Sequence, residues 1–141
     1  FDLYAGVGLF TLPLSQRFTR VVAVEDERRA ATLGRVNVKH NGRDNVVYHR
    51  TTTEQFLKTN KERPDLVLMD PPRLGCKPAI PQLLALQAAR IVYVSCDPNT
   101  LARDLRSFCD GGYELEQVEG YDMFPQTFHV EAVARLRLAG A

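Results

Sequence analysis

Five short apolar runs, each giving way to a helical pattern, constrain this chain more than any other feature of its sequence. The runs fall at 1–4, 20–25, 45–50, 65–69 and 90–95, and the helical patterns follow at 9–18, 27–40, 53–59, 79–88 and 99–109. Such alternation predicts βα units and a parallel sheet. Two more strands, 113–119 and 129–138, follow one another with no helix between them. They are expected to pair antiparallel at one edge, which makes the sheet seven-stranded, mostly parallel and mixed. Gly111-Gly112 closes the last helix. The expected fold class is α/β.

At 141 residues the chain is one domain's length, 1–141, and long enough for a real core. Its hydrophobic content of 45% and charged content of 25% are those of an ordinary globular domain. A net charge of +1 shows no basic excess and argues only against an autonomous high-affinity nucleic-acid binder. It leaves room for a catalytic domain that borrows a basic surface from another module. No apolar stretch approaches membrane-spanning length. The chain has no internal repeat, low-complexity segment or linker, and no signal for an oligomeric state. Cys76, Cys96 and Cys109 form no C-x-x-C pair and no metal spacing. The odd count, without a signal peptide, points to the reducing cytoplasm. The opening Phe1-Asp2-Leu3-Tyr4 reads as the second half of a strand, with no initiator methionine. The chain is therefore expected to be a fragment of a longer protein.

Open α/β sheets meet their ligands at the carboxyl ends of the strands. Asp2-Leu3-Tyr4-Ala5-Gly6-Val7-Gly8 ends the first strand and opens a helix. Gly6 and Gly8 permit a tight turn and close backbone approach to a ligand. The turn is not the G-x-G-x-x-G fingerprint, because Thr11 occupies the third glycine position. Fewer glycines fit a ligand without a pyrophosphate, such as S-adenosylmethionine. A plain βα turn is the alternative. Glu25 ends the second strand about twenty residues on, where an acid can accept both ribose hydroxyls. Asp26 and Glu27 belong instead to the start of the next helix, where acids suit the dipole.

Asp70-Pro71-Pro72-Arg73 follows the fourth strand directly. The prolines stiffen this loop and hold Asp70 in one place. Asp70 is then an acceptor for the cofactor or the substrate base, or an aspartate that caps its own turn. Cys96, in Ser95-Cys96-Asp97-Pro98-Asn99, ends the fifth strand just before a helix, where an anion is favoured. Cys109, late in a helix, reads as a buried structural cysteine, and Cys76 as a bystander in the stiff loop. Glu131 heads the last strand. His129 precedes it by two residues, so alternation sets both on one face, where the imidazole could orient the carboxylate. A nucleophile, a base and a cofactor turn together point to an enzyme.

Four segments occur in order: Asp2 to Gly8, Asp70 to Arg73, Ser95 to Leu105, and Asp122-Met123-Phe124-Pro125-Gln126-Thr127-Phe128-His129-Val130-Glu131. Along the whole chain they resemble the catalytic domain of the RNA uracil-C5 methyltransferases. The resemblance implies a Rossmann-like class I methyltransferase fold and S-adenosylmethionine as cofactor. It implies RNA as partner, with 23S ribosomal RNA ahead of transfer RNA, and Cys96 as nucleophile with Glu131 as base. It also implies cofactor contacts from Tyr4, Glu25 and Asp70, and an upstream RNA-binding portion that this sequence lacks. Two positions depart from the family. Leu9 stands where a polar residue is frequent, and Thr51 stands where Asn or Asp often approaches the adenine, leaving it a backbone or hydroxyl contact.

The chemistry needs these residue types. Uracil C5 is a poor nucleophile until a thiolate adds at C6. A base must then remove the C5 proton so that the cysteine can leave. The uridine must be single-stranded or flipped out of a duplex. Two rival readings are a base or amine N-methyltransferase and a binding module that has lost catalysis. The first needs neither Cys96 nor Glu131, and has Arg73 where an aromatic is expected to stack on the base. The intact cysteine and glutamate weigh against the second.

Overall fold

The computed structural model describes residues 1–123, 125–127 and 130–140. Phe124, Phe128, His129 and Ala141 lie outside the described residues, and with them the expectation for His129. The chain divides into two compact units, Phe1–Asn60 and Lys61–Ala141.

In the first unit three strands run parallel in the order β3-β2-β1. They are β1 (Asp2–Leu3), β2 (Val21–Glu25) and β3 (Val46–Arg50). Asp2 pairs with Ala23 and Leu3 with Val24, while β2 and β3 are in register from Val21 against Val46 to Glu25 against Arg50. The run Val21-Val22-Ala23-Val24 is buried throughout, as a strand covered on both faces must be. Helices α1 (Thr11–Ser15), α2 (Arg28–His40) and α3 (Thr53–Thr59) complete the unit. Glu27 caps α2 by accepting from the amides of Arg29 and Ala30, and Thr52 caps α3 by accepting from Gln55. The inner face of α2 carries Ala31, Gly34 and Val38, at helical spacing.

Helix α1 is half the length that periodicity predicts. Gly6 (φ +54°) and Gly8 (φ +97°) hold the preceding segment in a turn. At the other end Asn45 Nδ2 donates to the carbonyls of Ser15 and Phe18, which takes them out of the helix. The remaining helices and all seven strands lie within two or three residues of their expected bounds.

In the second unit the order is β4-β5-β7-β6. Strand β4 (Leu66–Met69) runs parallel to β5 (Arg90–Ser95), β5 antiparallel to β7 (Glu131–Leu138), and β7 antiparallel to the edge strand β6 (Tyr113–Tyr121). This is the expected α/β pattern with an antiparallel edge. Helices α4 (Ile80–Leu86), entered through a 3-10 turn at Lys77–Ala79, and α5 (Pro98–Asp110) pack on it. Asp97 caps α5 by accepting from the amides of Asn99 and Thr100, and Pro98 takes the first helical position. The core of α5 is Leu101, Leu105 and Phe108, with Asp104 in the same buried stripe. Arg135 pairs with Glu119 at 2.6 Å, and Arg137 with Glu114, across the exposed face of β6 and β7. Among the described residues no helix is long and apolar enough to cross a membrane.

Gly34 is a space requirement of the first unit. A Cβ there would lie 2.5 Å from the Tyr48 ring. Glycine to alanine in a helix interior ordinarily stabilises by about 1 kcal/mol. Gly34→Ala is expected instead to destabilise by about 1–3 kcal/mol, as overpacked cores do, and urea denaturation followed by circular dichroism reads the sign directly.

Candidate active site

Of the residues expected to bind a cofactor, Tyr4, Gly6, Gly8, Glu25 and Thr51 lie in the first unit and Asp70 in the second. Tyr4 adopts φ +62°, a region that non-glycine residues rarely occupy, and Gly6 and Gly8 follow with positive φ. The turn is tied down on three sides. The Gly6 amide donates to Glu25 Oε2 at 2.8 Å, Tyr48 Oη donates to the Gly6 carbonyl at 3.0 Å, and Asn37 Nδ2 donates to the Val7 carbonyl at 2.9 Å. Beneath it Thr11 Oγ1 donates to the buried Asp2 carboxylate. Glu25 Oε1 also accepts from the Glu27 amide at 2.8 Å. Each carboxylate oxygen keeps a further lone pair for a ligand hydroxyl. Burial pushes the Tyr48 phenol up to about 12, so it stays a donor at neutral pH. Thr51 follows β3, its amide bonded to the Glu25 carbonyl and its hydroxyl to Gln55. Leu9, the side chain that departs from the family pattern, is 71% exposed.

Asp70, Cys96 and Glu131 lie in the second unit, at one end of its strands. Asp70 follows β4, Cys96 follows β5, and Glu131 begins β7. The last paired residues of the β5–β7 ladder are Ser95 and Ala132. Cys96 is the next residue after Ser95, and Glu131 the residue before Ala132, so both lie just past the last pair of this ladder, where Glu131 pairs with Tyr121 of β6. The Asp70 carboxyl, although exposed on one side, is surrounded enough that burial pushes it above the usual carboxylate range, and the Glu131 charge adds to this. The Thr100 amide, with that of Asn99, holds the Asp97 carboxyl below its ordinary range. Cys96 is half-buried.

The other cysteines separate. Cys76 is buried, and burial together with the nearby Asp104 charge pushes its thiol up to about 12. Cys109, expected to be buried, is exposed. Its helix turns Leu105 and Phe108 inward, which leaves position 109 on the solvent side.

Residues 1–138 match the family described as tRNA (Uracil-5-)-methyltransferase. The chain belongs to that family. A relative from Thermotoga maritima, described as an uncharacterised RNA methyltransferase, is 44% identical over 136 residues, covering 96% of this chain and 31% of its own length. The chain thus spans about a third of the length of its curated relatives. The crystal structure of Pyrococcus abyssi tRNA (uracil-54, C5)-methyltransferase in complex with S-adenosyl-L-homocysteine superposes with a TM-score of 0.84 at 34% identity, over 96% of this chain and 33% of that one. An RNA methyltransferase structure from Pyrococcus horikoshii, at 15% identity and a TM-score of 0.76, covers 98% of this chain and 73% of that one, and shares the fold. The fold of the family is the Rossmann-like α/β methyltransferase fold.

Tyr48 and Asn37, which brace the turn, escape sequence reasoning because neither lies at a strand end. Asp104 leaves a trace: a carboxylate inside the apolar stripe of a helix. The thiols give a direct check on this geometry. With a maleimide in native buffer, Cys96 and Cys109 are expected to label readily and Cys76 only on unfolding. Peptide mapping by mass spectrometry identifies which thiol has reacted.

Proposed function

We propose that this chain is the catalytic domain of a longer cytoplasmic enzyme that methylates C5 of a uridine in RNA, with S-adenosylmethionine as methyl donor. The observation that carries the reading is the β5–β7 ladder, whose last pair, Ser95 and Ala132, has a cysteine and a glutamate as the next residues at that strand end. A C5 methyltransferase needs one nucleophile and one base, and amine methylation needs neither.

The turn after β1 fits such a cofactor. Its backbone is open at Gly6, where an added Cβ would meet nothing within 4 Å. The carboxylate of Glu25 retains acceptor capacity for ribose hydroxyls. Tyr4, Gly6, Gly8, Glu25 and Thr51 are assigned to hold it, with Asp70 as a further acceptor. The bound cofactor supplies an electrophilic methyl group.

The chain's own residues do the rest. The Cys96 thiolate adds to uracil C6, and the C5–C6 electron pair moves to the O4 enolate. The enolate makes C5 nucleophilic enough to take the methyl. Glu131 removes the C5 proton, the C5–C6 double bond re-forms, and the Cys96 thiolate leaves. The uridine must be single-stranded or flipped out to be reached. For the RNA itself, 23S ribosomal RNA is the proposed target. The Pyrococcus abyssi enzyme acts on uracil 54 of a tRNA, so ribosomal and transfer pools are both assayed. Nucleoside mass spectrometry of each pool, from cells lacking the full-length protein, finds 5-methyluridine missing from one of them if the reading holds.

Two substitutions in the full-length protein test the chemistry. Glu131→Gln stalls the reaction after methyl transfer, so a protein–RNA adduct is expected to survive denaturing electrophoresis and to vanish when Cys96→Ala is added. Turnover retained by Cys96→Ala alone would sink the mechanism. For the cofactor, losing a charge-assisted hydrogen-bond partner costs about 1.5–3 kcal/mol, so Glu25→Ala is expected to weaken cofactor binding roughly ten- to a hundredfold by calorimetry.

A further inference from the structure

We propose that Asp104, with Arg103, is a positioning residue for the reaction, fixing both the loop that follows Asp70 and the strand end that presents Cys96. This rests on the methyl-transfer reading for its kinetic readout, and on geometry alone for the rest.

Asp104 is fully buried on α5, and each of its oxygens is used. Oδ2 accepts from the Cys76 amide at 2.8 Å and from Tyr93 Oη at 2.8 Å. Oδ1 accepts from Arg103 Nε at 2.9 Å, and Arg103 Nη2 lies 2.8 Å from it. The same Nη2 donates to the Leu74 carbonyl at 2.8 Å. The pair thus grips residues 74 and 76 of the loop, whose inner turn closes through the Gly75 amide on the Pro72 carbonyl at 2.8 Å. Tyr93 lies on β5, three residues before Cys96. One carboxylate therefore joins the loop behind Asp70, the strand that delivers Cys96 and the helix that starts beside it.

The fit is close. Gly75 has φ +77°, and a Cβ on it would lie 2.3 Å from Asp104 Oδ2 and 2.6 Å from Arg103 Nη2. No side chain can enter there without parting loop from helix. A buried charge is retained only when its donors satisfy it, and an asparagine cannot accept on both sides, because its amide nitrogen would face donors. Asp104→Asn must therefore release either Arg103 or the Cys76 and Tyr93 pair. A misplacement of about 1 Å in a reacting group can cost as much as a hundredfold in rate.

The test uses the full-length protein with Asp104→Asn, Gly75→Ala and the milder Arg103→Lys, which keeps the charge but loses the forked contact. Three quantities are read: maleimide labelling of Cys76, which reports the clamp opening; alkylation of Cys96 by iodoacetamide, which needs no RNA; and kcat and KM for RNA. Asp104→Asn and Gly75→Ala are expected to expose Cys76 and to shift the Cys96 alkylation rate. They should lower kcat by about tenfold or more, with KM held within about threefold. Arg103→Lys should fall between these and the wild type. An opened Cys76 with Cys96 alkylation unchanged would overturn the proposal, whether or not the wild type methylates RNA. So would a kcat that falls only as far as the folded fraction measured by circular dichroism. A wild type that alkylates as expected but transfers no methyl refutes the methyl-transfer reading instead, and leaves the positioning of Cys96 supported. If Asp104→Asn does not fold, Gly75→Ala, which keeps Asp104 itself, carries the same readouts.

Discussion

Burying the Asp104 carboxylate obliges the second unit to bring donors to it from three segments of chain. An unpaired charge in that position would cost several kcal/mol, so the helix, the strand and the loop cannot part without exposing or orphaning it. Among its described contacts, the loop from Asp70 to Cys76 is tied to α5 through Asp104 and Arg103. Its prolines give no amide donors, and Arg73 and Leu74 are on the surface. The carboxylate fixes the far end of this stiff loop to α5. It also bears on Cys76, whose thiol sits behind the clamp, where burial and the neighbouring negative charge push it up to about 12.

The second determinant is the change of strand direction. Strand β5 has a parallel neighbour on one side and an antiparallel one on the other. A parallel neighbour ends where its partner ends, so β4 delivers Asp70 at the same end of the sheet as β5 delivers Cys96. An antiparallel neighbour begins there, so β7 brings Glu131 to that end with its first residue. Asp70, Cys96 and Glu131 thus come to one end of the second unit's strands from segments that are 26 and 35 residues apart in the chain. The Glu131 charge adds to the burial that favours the protonated form of Asp70.

The first unit solves a different problem, that of keeping a glycine turn open but fixed. Tyr4, Gly6 and Gly8 all take positive φ, and such a turn would be mobile if nothing held it. Glu25, Tyr48 and Asn37 each take one of its backbone groups. The Tyr48 ring reaches the turn because Gly34 leaves room for it on α2. Glu25 is both a brace of the turn and the acceptor assigned to the cofactor, so its loss acts on both.

The sequence by itself determined the α/β class, the alternation of strands and helices and the residues at the strand ends. These are local properties: apolar runs stop where a polar residue or a proline stops them, and Glu27, Thr52 and Asp97 cap helices through their own next few amides. It therefore showed Glu25, Asp70, Cys96 and Glu131 as single residues at strand ends. Three features needed the tertiary structure. Helix α1 is short because Asn45, thirty residues from Ser15, takes its terminal carbonyls. Cys109 faces solvent because the packing of Leu105 and Phe108 sets the rotation of α5. Asp104 became a clamp only when Cys76 and Tyr93, distant in sequence, met it. Propensity and periodicity act within a few residues, whereas these contacts depend on which face of one element meets which face of another.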